Sequence, residues 1–214
     1  MPRAALSEEQ LADFRERAID AATHLLADKG YAAFTMRAVA ARLGCSPMTT
    51  YRYFADKAEV YTLVKARAFE HFADAQQVAL LADVGVAERM LLLGRIYYDF
   101  AVANADQYRV MFELDNDTEV GLPGDGNEEL DRQAERAWLP LRELTRQAIE
   151  GGLLVGDVDT VAHLFWAGMH GVSALELAGR LGRGRTGYDL LEPMMTTLFA
   201  GNVGPAFNDL DAEG

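Results

Sequence analysis

Cysteine is almost missing from this chain: Cys45 stands alone among 214 residues, which excludes an internal disulfide framework and any all-cysteine zinc site. Long apolar runs are missing too. No stretch approaches the roughly 18 residues of a membrane span, and "MPRAALSEEQ" lacks the charged-then-apolar order of an export signal. The chain is therefore expected in the cytoplasm, away from membranes. Alternation of period two is absent, so no sheet is expected. Basic residues are scarce, 20 against 33 acidic, for a formal charge of -13 that argues against a polyanionic partner for the chain taken whole. No serine, cysteine or carboxylate sits in a catalytic signature, so the chain does not read as an enzyme and no cofactor or metal is implied.

What is present is unevenly spread. Residues 1 to 65 hold nine Lys/Arg and eight Asp/Glu, while the remainder holds 11 basic and 25 acidic residues. A nearly neutral head on an acidic body suggests two tasks, with any nucleic-acid contact confined to the head. Half the residues are hydrophobic, enough for a sizeable core.

The periodic segments all read as helix, and the expected fold is all-α. Ser7 and Gln10 form a capping box for a first helix that Lys29-Gly30 ends. "TMRAVAARLG" is a short second helix closed by Gly44. Ser46 caps a third, with Pro47 at the first position, where a missing N–H costs nothing. Asp56 and Glu59 open a long helix to about Asp83, and "ERMLLLGRIYYDFAVAN" is apolar around most of its circumference, as a helix surrounded by others must be. A short helix follows from Asp106 to Leu114, then a glycine-rich acidic loop, "DNDTEVGLPGDGNEE". Residues 128 to 150 form a helix with a kink expected at Pro140. Asp157 caps a helix to about 179, and a last one spans Tyr188 to Phe199. The expected domains are 1–58, a helix-turn-helix head; 59–204, a helical ligand-binding and dimerisation body; and 205–214, a flexible tail.

Two short helices joined by a glycine turn, with longer helices before and after, have the layout of a helix-turn-helix DNA reader. The second is "SPMTTYRYF". Pro47, Met48 and Thr49 lie where base edges are met, and their apolar groups suit thymine methyls. Tyr51, Arg52 and Tyr53 offer hydroxyls and a guanidinium to phosphates, with Lys57 one turn on.

Residues 13 to 60 resemble the DNA-binding domain of the TetR family of bacterial transcriptional regulators. The likeness is carried by "KGY" ending the first helix, Thr35 opening the second, Val39-Ala40 and Leu43-Gly44 around the turn, then Tyr51, Phe54 and Lys57. It implies phosphate contacts from Thr35, Tyr51, Tyr53 and Lys57, and base contacts from Arg37 and from Pro47, Met48 and Thr49, with Arg52 able to serve either way. Cys45 and Thr50 depart from the family's usual valine and leucine or isoleucine. Further on, "ANADQYRVMF" (103–112) resembles a segment common in the family, and "WAGMHG" (166–171) resembles the Trp-x-x-x-His-Gly signature of one C-terminal subgroup.

The resemblance implies a homodimeric regulator, most simply a repressor released from a palindromic double-stranded operator by a small lipophilic effector. A constitutive DNA-binding dimer, or a helical enzyme or carrier, are the alternatives. Tyr97, Phe100, Phe112, Trp138, Phe165 and Trp166 are candidate lining for the effector cavity, though aromatics at helical spacing are core by default. The helix at 158–179 and the last helix are apolar around most of their surface. Gly171 and Ala174, with Met194 and Leu198, are the candidate dimer seam.

Several motifs are set aside. "GRGRTG" (182–187) follows a helix rather than the strand a dinucleotide fold needs, and "DNDTEVGLPGDG" lacks the glycine and glutamate of a calcium loop. "NDT" at 116–118 is a glycosylation sequon only for an exported protein. His163 and His170, seven residues apart and so roughly 10 Å along a helix, are too distant to share a metal. Cys45 reads as a small buried hydrophobe.

Overall fold

The structure is a computed structural model, and residues 7–112, 124, 126–182 and 184–202 are described. Most of the acidic loop after residue 112, the sequon at 116–118, Arg183 of the glycine motif and the tail at 205–214 lie outside them. Among the described residues the chain is all-α: α1 (Glu8–Ala33), α2 (Met36–Arg42), α3 (Pro47–Thr50), α4 (Lys57–Leu81), α5 (Val86–Ala103), α6 (Ala105–Phe112), α7 (Glu128–Glu150), α8 (Val158–Leu177) and α9 (Gly187–Gly201). None of these helices is long and apolar enough to cross a membrane.

The capping signals act largely as their chemistry demands. Ser7 Oγ accepts from Gln10 N–H at 3.2 Å while Gln10 Oε1 accepts from Ser7 N–H at 3.0 Å. Gly30 breaks α1 with φ 70°, ψ 168°, so only a single turn, Tyr31 to Ala33, follows it. Asp56 Oδ1 accepts from Glu59 N–H at 2.9 Å, but the Glu59 carboxylate reaches past Asp56 to Ala55 N–H at 2.6 Å. Ser46 sits at the N-cap of α3, yet its hydroxyl bonds Thr49 Oγ1 at 3.0 Å and no backbone N–H. Pro140 lies within α7, which continues through it.

The chain divides into two compact units, one of Met1–Phe69 with Asp106–Ala134, the other of Glu70–Ala105 with Glu135–Gly214. In the first, Phe14, Leu26, Phe34, Val39, Phe54 and Tyr61 form the core. Val110 of α6 enters that same core fully buried, and His24 Nδ1 meets Asp106 Oδ2 at 2.7 Å, so α6 is held to α1 by an apolar plug and a polar clasp.

The second unit packs α5 against α8 and α9. Gly94 makes the approach possible, since a β-carbon there would lie 3.4 Å from the Met195 thioether. Gly187 is tighter still: its N–H donates to the Glu176 carboxylate, and a β-carbon would lie 2.4 Å from the Tyr98 ring. Burial, and then the Glu176 carboxylate, raise the Tyr98 phenol above its ordinary pKa.

Candidate nucleic-acid interface

Thr35 opens α2 as its N-cap, its hydroxyl accepting from Ala38 N–H at 3.2 Å. α2 ends at Arg42, and Gly44 turns the chain with φ 67° into α3. α3 is a single turn, after which Tyr51 N–H still reaches Pro47 C=O at 3.2 Å and Tyr53 N–H reaches Thr50 C=O at 3.0 Å. The Thr50 hydroxyl is tied to Pro47 C=O at 2.8 Å and is buried. Thr50 therefore uses the place of a larger apolar residue to brace the turn from inside.

This bracing divides the expected DNA residues into two sets. Thr35, Arg37, Pro47, Met48, Tyr51 and Arg52 are exposed, Met48 at 78% and Tyr51 at 54%. Thr49, Tyr53 and Lys57 are half-buried. Tyr53 stacks on Phe14 with ring centroids 4.9 Å apart. Lys57 Nζ lies 4.0 Å from the centre of the Tyr31 ring and donates to Tyr31 C=O at 3.3 Å. Thr49 N–H donates to Ser46 C=O at 2.9 Å and Pro47 has no N–H, so neither residue offers a free backbone donor at the start of α3.

Charge is partitioned the same way. Toward α4, Arg15 pairs with Glu59 at 3.1 Å and Arg67 with Glu16 at 2.5 Å. Arg37, Arg42 and Arg52 have no ion pair among the described residues. Guanidinium groups held by neighbouring carboxylates serve the fold, and those without one remain available to phosphates or base edges.

Two stretches of sequence settle what this head belongs to. Residues 18–64 match the family described as bacterial regulatory proteins, tetR family, and residues 90–198 match the tetracyclin repressor-like C-terminal domain. The chain belongs to the TetR family. Members are DNA-binding transcriptional regulators, and the turn around α3 is where a TetR regulator carries its helix-turn-helix. The HTH-type transcriptional activator FasR of Mycolicibacterium smegmatis is 30% identical over 105 residues, covering 49% of this chain and 48% of that protein. The chain thus spans about half the length of that relative.

Among the solved structures similar to this chain, two illustrate the shared fold. A protein of unknown function from Rhodococcus sp. RHA1 has a TM-score of 0.75 at 18% identity, covering 95% of this chain and 99% of the other. The fatty acid degradation regulator FadR from Bacillus halodurans has a TM-score of 0.71 at 16% identity, covering 92% and 97%. At such identities the likeness is one of fold alone.

Of the six aromatics suggested for an effector cavity, Phe112 belongs to the first unit, where it meets Phe69 and Tyr108 edge-on. The other five belong to the second. Tyr97 and Phe100 are buried against Phe72 at centroid distances of 5.1 and 4.9 Å, and Phe165 is buried against Phe199 at 5.1 Å. Trp138 and Trp166 meet edge-on at 6.5 Å beside His163. His170 stacks one turn after Trp166, at 5.7 Å, and its Nδ1 lies 3.2 Å from the Tyr97 hydroxyl.

Around the suggested seam, Met194 and Leu198 of α9 pack on Gly168 of the same chain, where a β-carbon would lie 2.4 Å from Met194 Sδ. A β-carbon on Gly171 would meet nothing within 4 Å. Ala174 is half-buried; Leu175 next to it is 46% exposed, and Leu164 earlier in α8 is 44% exposed.

Proposed function

We propose that this TetR-family chain is a cytoplasmic homodimeric repressor that leaves a palindromic operator when a small lipophilic effector binds its second unit. Thr35, Arg37, Pro47, Met48, Thr49, Tyr51, Arg52, Tyr53 and Lys57 form the reading surface, with domains close to 1–58 and 59–204. The observation that carries the DNA reading is the exposure of the side chains around α3, with Arg37 and Arg52 unpaired among the described residues of a chain rich in carboxylates. The polyanion is met by these few groups, so the overall charge of -13 does not preclude binding.

The dimer rests on α8. Leu164, Ala167, Gly171 and Leu175 recur at spacings of three, four and four, one stripe of the helix, and all are exposed or half-buried. Small residues within such a stripe let a second copy approach closely, and two-fold symmetry matches two half-sites. Trp166, His170 and Gly171 also give the Trp-x-x-x-His-Gly grouping a physical sense. Trp166 and His170 share one face, where His170 holds Tyr97, and Gly171 opens onto the stripe. A small lipophilic effector suits an interior built on Tyr97, Phe100 and Phe165. Binding must differ between the DNA-competent and released states for such a ligand to act.

A second reading, activation, is favoured by the name of the FasR relative. Selection of duplexes from a randomised library by the purified protein, followed by transcription from a promoter carrying the selected site, tests both. Repression requires an inverted-repeat site and less transcript with protein present. More transcript supports activation, and no selected site overturns the DNA reading altogether.

A further inference from the structure

The outer face of α1 adjoins the reading surface. Gln10, Asp13 and Arg17 recur at i, i+3 and i+7, and with Met48, Thr49 and Arg52 they line one open groove of about 620 Å³. The neighbouring α1 residues Arg15 and Glu16 turn the other way and are absorbed by Glu59 and Arg67 of α4. Arg17 is spent differently: its Nε donates to Asp13 Oδ2 at 3.0 Å, and both terminal amino groups are left without a partner among the described residues. Gln10 uses its carbonyl oxygen on Ser7 N–H, leaving its amide donors, and the Arg52 guanidinium has no partner among the described residues. Three donor-bearing side chains thus converge on one groove whose only carboxylate among the described residues, Asp13, is already engaged by Arg17.

We propose that this groove seats the sugar–phosphate strand flanking each half-site, with Arg17 as a phosphate-binding residue contributed by α1 and Asp13 as the residue that orients and tempers it. The inference rests on the DNA reading above. One wall of the groove is made by Met48, Thr49 and Arg52, so an occupant other than the strand itself would compete with the duplex for that wall. Asp13 beside a phosphate is repulsive on its own account and tolerable only while Arg17 covers it. Binding therefore depends on the pair rather than on net charge. A sequence-independent contact of this kind adds affinity and fixes register without altering base preference.

The test uses the duplex that the unmodified protein selects from a randomised library, together with an unrelated duplex. Affinity is followed by anisotropy over a range of salt, and phosphates are mapped by ethylation interference. Arg17→Ala is expected to flatten the plot of log affinity against log salt by about 0.9 for each phosphate it no longer neutralises. It should weaken both duplexes by the same factor and erase interference at the flanking phosphates. Arg17→Lys should retain the salt slope, and Asp13→Asn should tighten both duplexes. All three should melt like the unmodified protein, since an exposed pair contributes little to the fold. An unchanged slope and unchanged flanking interference in Arg17→Ala overturn the groove while leaving the regulator reading standing. Failure of the unmodified protein to select any duplex overturns both.

Discussion

Two surfaces of this TetR-family chain are incomplete, and in opposite ways. Around α3 the unfinished groups are polar: Arg37, Arg42 and Arg52 lack ion pairs among the described residues. Along α8 they are apolar, with Leu164 and Leu175 exposed and open space over Gly171. Several basic groups of the second unit are absorbed, Arg95 by Glu192, Arg136 by Asp74, Arg142 by Asp159 and Arg146 by Glu143, while Arg180 and Arg185, between α8 and α9, have no ion pair among the described residues. The contrast teaches that availability rather than abundance marks a binding surface. It also implies opposite responses to salt: a phosphate-binding surface weakens steeply, while an apolar seam holds or tightens.

The sharpest way to break the comparison is Gly171→Leu. A β-carbon there meets nothing within 4 Å inside the protomer, so the fold of each protomer should be kept, as circular dichroism would show. Placed at the proposed seam, leucine should convert dimer to monomer in light scattering and abolish high-affinity operator binding. A dimer that persists would remove α8 from the interface. On the other surface, Phe54 and Tyr51 lie three residues apart with opposite duties. Phe54→Ala, at 2% exposure, should cost about 3 to 5 kcal/mol by denaturant titration. Tyr51→Phe should leave stability unchanged and weaken binding to all duplexes alike.

Smaller effects sharpen the picture within each unit. Gly187→Ala drives a methyl into the Tyr98 ring and should cost about 1 to 3 kcal/mol in thermal or urea melts. Thr35→Ala removes a hydroxyl that caps α2 and should cost about 1 kcal/mol. Ser46→Ala, whose hydroxyl meets only Thr49 among the described residues, should cost less by the same measurement.

The smallest effect is one of pH. Hydrogen bonds from Arg146 and Gln147 lower Glu143 from its ordinary 4.5 to about 2. Its contribution to stability is present above pH 4.5 and fades as pH falls toward 2, because the unfolded chain takes up the proton first. Partial exposure keeps it small. Acid unfolding of Glu143→Gln, followed by circular dichroism, should lack that component, and identical curves would show the pair contributes nothing.

Much of the architecture was legible in sequence because it is written in local chemistry. Ser7 with Gln10, Thr35, Gly30 and Asp157 each announce a helix end through a short-range bond or a dihedral, and each does so in the fold. What local pattern cannot carry is the choice of partner. The periodicity of α6 identifies a helix but not that Val110 enters the core of the first unit. Ser46 looks like an N-cap because it precedes Pro47, yet Thr49 outcompetes the backbone for its hydroxyl. The reading turn was recognisable from "SPMTTYRYF". The groove along Gln10, Asp13 and Arg17 was not, since an exposed polar stripe on a long helix looks alike whether it faces solvent or a duplex.

Gly30 carries a stereochemical consequence. Its φ of 70° with ψ of 168° falls in a region that L residues shun, asparagine included, although no atom stands within 4 Å of where a β-carbon would go. Handedness rather than size restricts the position, so alanine, serine and leucine should be rejected to a similar degree. The mirror image of those angles is the relaxed extended conformation of an ordinary residue. A semisynthetic chain bearing D-alanine there should adopt these angles without backbone strain and, by narrowing the unfolded ensemble, exceed the natural protein in stability.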